Sequence, residues 1–195
     1  MKRTDKEKAH LKSYLRSDYK EESGKRFQWL AHKIRENDFR IGAEIGCANG
    51  NTTGHILKNT KVRKLYAVDL WHPSNDRFSS KQYDGWNFKR MQSRFERAIH
   101  GNRHRVVLLK GISWEVADSV EDGTLDFIFI DADHSYQSVK RDILAWTPKL
   151  KEGGMISGHD THFKDVYRAI NFYVPKWIPA YVDHVWYAKK EDVRL

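Results

Sequence analysis

Residues 125–136 read Leu125-Asp-Phe-Ile-Phe-Ile-Asp131-Ala-Asp133-His134-Ser-Tyr136, a nearly unbroken apolar run that ends in carboxylates and an imidazole. A run of this kind fits a strand buried on both faces, as in a parallel sheet covered by helices on either side. It is echoed downstream by Gly153-Gly154-Met-Ile-Ser-Gly158-His159-Asp160. If the two runs are neighbouring strands, Asp131, Asp133, His134, His159 and Asp160 gather at one edge of a sheet. Those side chains carry enough oxygen and nitrogen for a divalent metal, with a base left over.

Working outward, short apolar runs at Ile41–Ile45, 65–68, 106–109, Leu125–Ile130 and 155–156 alternate with helix-like segments at 52–59, 86–100, 114–120 and Tyr136–Trp146. Phe27, Leu30, Ala31 and Ile34 recur at helical spacing within a polar N-terminal extension, residues 1–38. Residues 163–174 continue as a helix, and 177–182 with 185–188 flank Asp183-His184 as a closing hairpin. The pattern predicts one α/β domain over 1–195: a doubly wound, mostly parallel sheet with an antiparallel edge hairpin and N-terminal helices. In such sheets ligands bind beyond the carboxyl ends of the strands, near the point where strand order reverses.

At 195 residues the chain can bury one substantial core. No apolar run approaches a membrane span, and Met1-Lys-Arg-Thr-Asp-Lys-Glu-Lys lacks a hydrophobic signal core. A single cysteine, Cys47, excludes a disulfide framework. These features predict a cytoplasmic protein with no membrane partner. The net charge of +9 is the unusual bulk property, and residues 76–105 hold eight Lys/Arg against Asp76, Asp84 and Glu96. That excess suits either an anionic partner or an ordinary solvated helix face.

The first strand runs into Glu44-Ile-Gly46-Cys47-Ala48-Asn49-Gly50-Asn-Thr52-Thr53, and the second ends at Val68-Asp69-Leu70. The glycine spacing does not match the dinucleotide fingerprint G-x-G-x-x-G. A carboxylate at Glu44 would repel a pyrophosphate but suits a ligand with a cationic amino acid end. Together, Glu44, Gly46, Gly50 and Asp69 resemble the first two motifs of class I S-adenosylmethionine-dependent methyltransferases. Gly111-Ile112-Ser113-Trp114 resembles that family's adenine-contacting turn. The resemblance implies a Rossmann-like fold, S-adenosylmethionine as cofactor, Glu44 and the glycine loop near its methionine end, Asp69 on the ribose, and Ile112 and Ser113 near the adenine. Cofactor contacts are thereby expected at Glu44, Gly46, Cys47, Ala48, Asn49, Gly50, Thr52, Asp69, Leu70, Gly111, Ile112, Ser113 and Asp131. Ala48 departs from the pattern, since many members have a second glycine there.

The downstream residues narrow the resemblance to small macrocin-type and cephalosporin-biosynthesis-type O-methyltransferases over about residues 41–160. It implies a small-molecule hydroxyl acceptor such as a sugar or polyol, with an anionic acceptor allowed by the charge. In metal-dependent members the corresponding ligands are Asp131, His159 and Asp160. His159 departs from the usual carboxylate or amide pair, and imidazole suits Mn²⁺, Fe²⁺, Zn²⁺ or Ni²⁺ better than Mg²⁺. The metal differs, or His159 serves another role, or no metal binds. The base is Asp133 or His134; intrinsic pKa favours His134. Both could instead cap the helix that follows. His72 and His162 stand in loops that could face the same pocket, and residues 71–84 could form a lid.

Rival readings are a nucleic-acid methyltransferase acting on ribose or nucleotide, a nicotinamide-dependent enzyme on a similar fold, and a non-catalytic binding module. Amino-methylating DNA enzymes carry an Asp/Asn-Pro-Pro-aromatic motif that Asp131-Ala-Asp133-His134 is not. Carbon-5 methylation needs a cysteine nucleophile, whereas Cys47 sits in the cofactor loop. The glycine spacing argues against nicotinamide. The sequence leaves the oligomeric state unread.

Overall fold

The computed structural model describes residues 25–72 and 85–195. Helix α1 (Arg26–Glu36) leads into β1 (Ile41–Ile45), α2 (Asn51–Asn59), β2 (Lys64–Asp69), α3 (Phe88–Ile99) and β3 (Val106–Lys110). Then follow α4 (Ser113–Val116), β4 (Leu125–Ile130), α5 (Tyr136–Trp146), β5 (Leu150–Gly158), α6 (Lys164–Tyr173), β6 (Ile178–Pro179) and β7 (Trp186–Lys189). The seven strands form one sheet in the order β3-β2-β1-β4-β5-β7-β6. The first five are parallel, while β7 runs antiparallel to both β5 and β6. The doubly wound sheet and its antiparallel edge are therefore as the sequence predicts. The expected helix at 114–120 is shorter, passing after Val116 into a 3₁₀ turn at Ala117–Ser119.

The apolar run of β4 is explained by its alternation. Ile128 and Ile130 enter a core shared with Val139, Ile143 and Trp146 of α5 and Ile170 of α6. Phe127 and Phe129 enter the opposite core, against Leu30 and Ile34 of α1, Ile56 of α2 and Phe95 of α3. Both faces are thus covered, so neither can be polar. Fully burying side chains of this size is worth roughly 1.5–3 kcal/mol each. This two-sided burial fixes where β1 and β4 end, side by side at the reversal of strand order, and so fixes the site.

The basic segment is partly structural. Arg105 donates through Nε to the Val62 carbonyl at 2.6 Å and through Nη1 to the Leu57 carbonyl at 2.7 Å, closing the end of α2. Arg103 donates to the Val106 carbonyl at 2.8 Å. Arg77, Lys81, most of the expected lid and residues 1–24 of the N-terminal extension lie outside the described residues. No helix among the described residues is long and apolar enough to cross a membrane.

Candidate functional site

A cavity of about 490 Å³ opens at the carboxyl ends of β1, β2, β3 and β4, a usual size for a small-molecule site. Every residue expected to contact the cofactor lines it except Gly50. Gly50 precedes α2 with φ +78°, and a Cβ there would lie 3.0 Å from the Phe95 backbone. A glycine at this position permits the close packing of α2 against α3.

The glycine loop is held from below. Gly46 has φ +93°, and a Cβ there would come within 2.1 Å of the Asp131 carbonyl oxygen. Glycine alone fits without strain where the chain leaving β1 passes the backbone leaving its parallel neighbour β4. Ala48 is also left-handed, φ +44°, which explains why glycine is usual there. Two hydrogen bonds hold it so: its N–H donates to Asp69 Oδ2 at 2.8 Å, and its carbonyl accepts from Trp71 Nε1 at 2.8 Å. Asp69 Oδ1 accepts from the Trp71 N–H at 2.8 Å. Asp69 therefore anchors the loop as well as facing the cavity. Burial raises its pKa against these backbone hydrogen bonds.

Glu44 is 1 % exposed and accepts a hydrogen bond from Thr53 Oγ1. Burial pushes its carboxyl from 4.5 up to about 8, the Thr53 bond and Arg26 opposing, Asp131 and Asp69 assisting. Cys47 is buried beside it, and burial raises its thiol further from the reactive thiolate form. At the far end, Asp142 of α5 is 1 % exposed and lines the cavity. Its Oδ1 accepts from Ser113 Oγ, whereas Oδ2 has no hydrogen-bond partner among the described residues. Burial raises Asp142 to about 7. In sequence, the only signal of Asp142 is a carboxylate among the inward positions of an amphipathic helix.

The acid–imidazole cluster assembles as the two echoed strand ends predict. His134 Nε2 lies 2.6 Å from Asp160 Oδ2, and its ring stacks on Phe163 at 4.3 Å between centroids. Asp160 is left-handed, φ +66°, which returns its carboxylate toward His134. Against the effect of burial, hydrogen bonds and charge from His134 and His159 hold Asp160 well below the usual carboxylate range. Asp133 Oδ1 accepts the Ser135 N–H at 2.8 Å, and Ser135 caps α5 by accepting from the Ser138 N–H at 3.2 Å. The capping role thus falls to Ser135 with Asp133 beside it, leaving His134 turned to Asp160.

His159 does not join the compact donor set. Ligand atoms of Asp131, His134 and Asp160 lie within 4.8 Å of one another. His159 instead places Nδ1 at 3.4 Å from Asp131 Oδ1 and 3.0 Å from Asp160 Oδ1, with Nε2 at 3.4 Å from Asp183 Oδ1. Burial lowers its pKa, but Asp131 and Asp160 outweigh this and raise it to about 10. His162 stands 3.8 Å from Asp160, and His72 lines the cavity. Two residues that sequence reasoning missed complete the cluster. Arg26 of α1 puts Nε 2.8 Å from Asp131 Oδ2, and Asp183 accepts the Arg26 backbone N–H at 3.0 Å.

A methyltransferase-domain family profile matches residues 43–161. The chain is 26% identical over 163 residues to an uncharacterized protein of Acanthamoeba polyphaga mimivirus, covering 77% of this chain and 68% of that protein. Among solved structures, a proposed caffeoyl-CoA O-methyltransferase from Staphylococcus aureus is similar with a TM-score of 0.62 at 17% identity, covering 93% of this chain and 88% of that one. An O-methyltransferase from Bacillus cereus in complex with SAH is similar with a TM-score of 0.59 at 13% identity, covering 97% and 92%. At such identities the structural likeness establishes the shared fold.

Proposed function

The chain belongs to the methyltransferase-domain family of class I S-adenosylmethionine-dependent enzymes, and from that premise we propose that it methylates a hydroxyl oxygen of a small molecule such as a sugar or polyol. The observation that carries this reading is the His134–Asp160 pair, a base and its orienting carboxylate 2.6 Å apart at the cavity. A hydroxyl oxygen becomes a good nucleophile as a positioned imidazole takes its proton.

The residues fit the cofactor. Gly46 lets the loop after β1 pass close against the Asp131 backbone beside the cavity, Glu44 offers a buried partner for an ammonium, and Asp142 presents an unpaired acceptor at the opposite end. Bound there, S-adenosylmethionine supplies an electrophilic methyl group on a sulfonium. Glu44 would fix the amino acid end, Asp69 the ribose, and Ser113 with Asp142 the adenine. His134, with Nε2 turned to Asp160, would take the hydroxyl proton at Nδ1 as the oxygen–carbon bond forms and the carbon–sulfur bond breaks, releasing S-adenosylhomocysteine. Asp160 would hold the resulting imidazolium. Trp86, 45 % exposed, lines the cavity, and Phe163, 39 % exposed, stacks on His134, giving apolar faces against which an acceptor ring can lie.

The resemblance also implies Mg²⁺ or Mn²⁺ at Asp131, His159 and Asp160, and the donor chemistry does not fit that group. The oxygens of Asp131 face Arg26 Nε and His159 Nδ1, and those of Asp160 face His134 and His159. No step here depends on a metal. Cys47, buried and with its thiol raised by burial away from the thiolate, also weakens carbon-5 nucleic-acid methylation as a rival.

The test is release of S-adenosylhomocysteine on incubation of the full chain with S-adenosylmethionine and a panel of sugars, polyols, catechols and nucleosides. Turnover with a hydroxyl acceptor, lowered about 10²–10⁴-fold by His134→Ala while cofactor affinity is kept, is expected. Turnover confined to nucleic acid, or unchanged in the variant, refutes the reading.

A further inference from the structure

Asp131, Asp160 and Asp183 converge on one side of the cavity, and the positive charge that balances them comes from the chain itself. Arg26 Nε stands 2.8 Å from Asp131 Oδ2, and its Nη1 stands 3.5 Å from Asp183 Oδ2. His159 lies between carboxylates on both sides of its ring, Asp131 and Asp160 at Nδ1 and Asp183 at Nε2. An imidazole placed so is satisfied only with a proton on each nitrogen, because a bare ring nitrogen would face a carboxylate lone pair. Arg26 and Asp183 both lie outside the residues matched by the family profile, 43–161. They come from α1 and from the turn before β7, a turn held in left-handed backbone at Tyr181, Asp183 and His184. Such strain in residues other than glycine is kept where surrounding structure enforces it, commonly beside functional sites.

Two further atoms point the same way. Arg26 Nε and His159 Nε2 are buried and, though near carboxylates, have no well-directed hydrogen bond among the described residues. Both are donors in the charged forms. The unmet atoms here are nitrogens, Arg26 Nε always a donor and His159 Nε2 a donor when the ring is charged, and donors of this kind call for an oxygen atom of a ligand. A divalent ion brought to Asp131 would instead meet a guanidinium and an imidazolium across a few ångströms, a repulsion that low-dielectric surroundings strengthen.

We infer that Arg26 and His159 are built-in counter-cations that occupy the place of a divalent metal, and that Arg26 positions an oxygen of the acceptor there. This rests on the reading of the cavity as a methyl-transfer site. The acceptor is accordingly a molecule with a second oxygen, hydroxyl or anionic, beside the one methylated. The arrangement accounts for the histidine at position 159, where a metal site would be better served by a carboxylate.

The experiment titrates Mn²⁺ alone into the full chain saturated with S-adenosylhomocysteine, following free Mn²⁺ by electron paramagnetic resonance. Native protein should show no stoichiometric site below about 1 mM. The double variant Arg26→Gln/His159→Glu should bind one Mn²⁺ at least tenfold tighter, and adding Asp131→Asn should abolish the gain. Micromolar binding to native protein that Asp131→Asn removes would overturn the inference. So would a double variant that binds no Mn²⁺ yet retains native S-adenosylhomocysteine affinity by calorimetry. If the double variant does not fold, the same titration on Arg26→Gln alone serves, with a gain of severalfold expected and none refuting. Absence of S-adenosylhomocysteine binding in native protein would sink the methyltransferase reading separately, since the Mn²⁺ titration can be run without it.

Discussion

Replacing Glu44 with Gln should remove a pH dependence that this buried carboxyl imposes on cofactor-product binding. Burial raises Glu44 to about 8, the Thr53 hydrogen bond pulling the other way and Asp131 adding to the rise; Arg26 lowers it and Asp69 raises it by smaller amounts. Below that pH the unliganded site holds a neutral carboxyl. An ammonium seated against it needs the carboxylate, so binding must expel a proton. The ionised fraction falls from one half at pH 8 to about 3% at pH 6.5, so Kd should rise about fifteenfold over that span, or roughly 1.6 kcal/mol. Isothermal calorimetry with S-adenosylhomocysteine, run in buffers of different ionisation enthalpy, measures both quantities. Close to one proton should leave at pH 6.5 and about half a proton at pH 8. In Glu44→Gln both the slope and the proton release should vanish, although affinity at pH 8 falls. Asp69 and Asp131 are common to both proteins, so the difference isolates Glu44. A native Kd that moves less than threefold, or a variant that keeps the slope, refutes the argument.

Gly46→Ala should weaken S-adenosylhomocysteine binding at least tenfold, because the new methyl would meet the Asp131 carbonyl at 2.1 Å in a left-handed backbone; Gly153→Ala, equally left-handed but with nothing within 4 Å, should leave affinity unchanged in the same calorimetry. Asp160→Asn should cut kcat on whichever acceptor is found about 10²-fold, with cofactor affinity retained; a rate within threefold of native would separate Asp160 from His134. His159 is raised to about 10, so its contribution to stability is full below its ordinary value near 6.5 and is lost as pH rises through 10. Thermal melts of His159→Gln against native protein should therefore differ most at pH 5–6 and converge toward pH 10; a gap that widens with pH contradicts the ion-paired placement.

The sheet was legible because its signal is local. The run Leu125–Ile130 states by composition that both faces are covered, and the structure divides it residue by residue between two cores. The strand ends were legible too, since parallel neighbours that finish together must bring their next residues together, as Asp131 and Asp160 show. Arg26 carried no such signal. It is one of 35 Lys/Arg in the sequence, on a helix whose visible pattern concerns Leu30, Ala31 and Ile34. Only the packing of α1 against the sheet brings its side chain to Asp131, more than a hundred positions away. Asp183 was read correctly as a hairpin turn and no further, because what it faces depends on β7 pairing beside β5. Asp142 hides on the covered side of α5, where sequence periodicity expects apolar residues and a single carboxylate is easily passed over.

The backbone itself marks the same region by another route. Apart from Asp38 in the turn after α1, the non-glycine residues with positive φ among the described residues are Ala48, Trp71, Asp160, Tyr181, Asp183 and His184, each at a cost of order 1 kcal/mol or more. Ala48 and Trp71 hold the glycine loop after β1, whereas Asp160, Asp183 and His184 lie around the acid–imidazole cluster proposed to face the acceptor. Hydrogen bonds sustain the strain in both places: Asp69 with Ala48 and Trp71, and the His184 carbonyl with the N–H of Thr161, next to Asp160, at 3.2 Å. A fold stable enough to tolerate several such residues could relax them by substituting glycine. That they persist in two clusters flanking one cavity is best explained by the side chains they aim, Asp160 at His134 and Asp183 at His159 and Arg26. The site is therefore specified twice, by charged residues at strand ends and by the backbone that turns them inward.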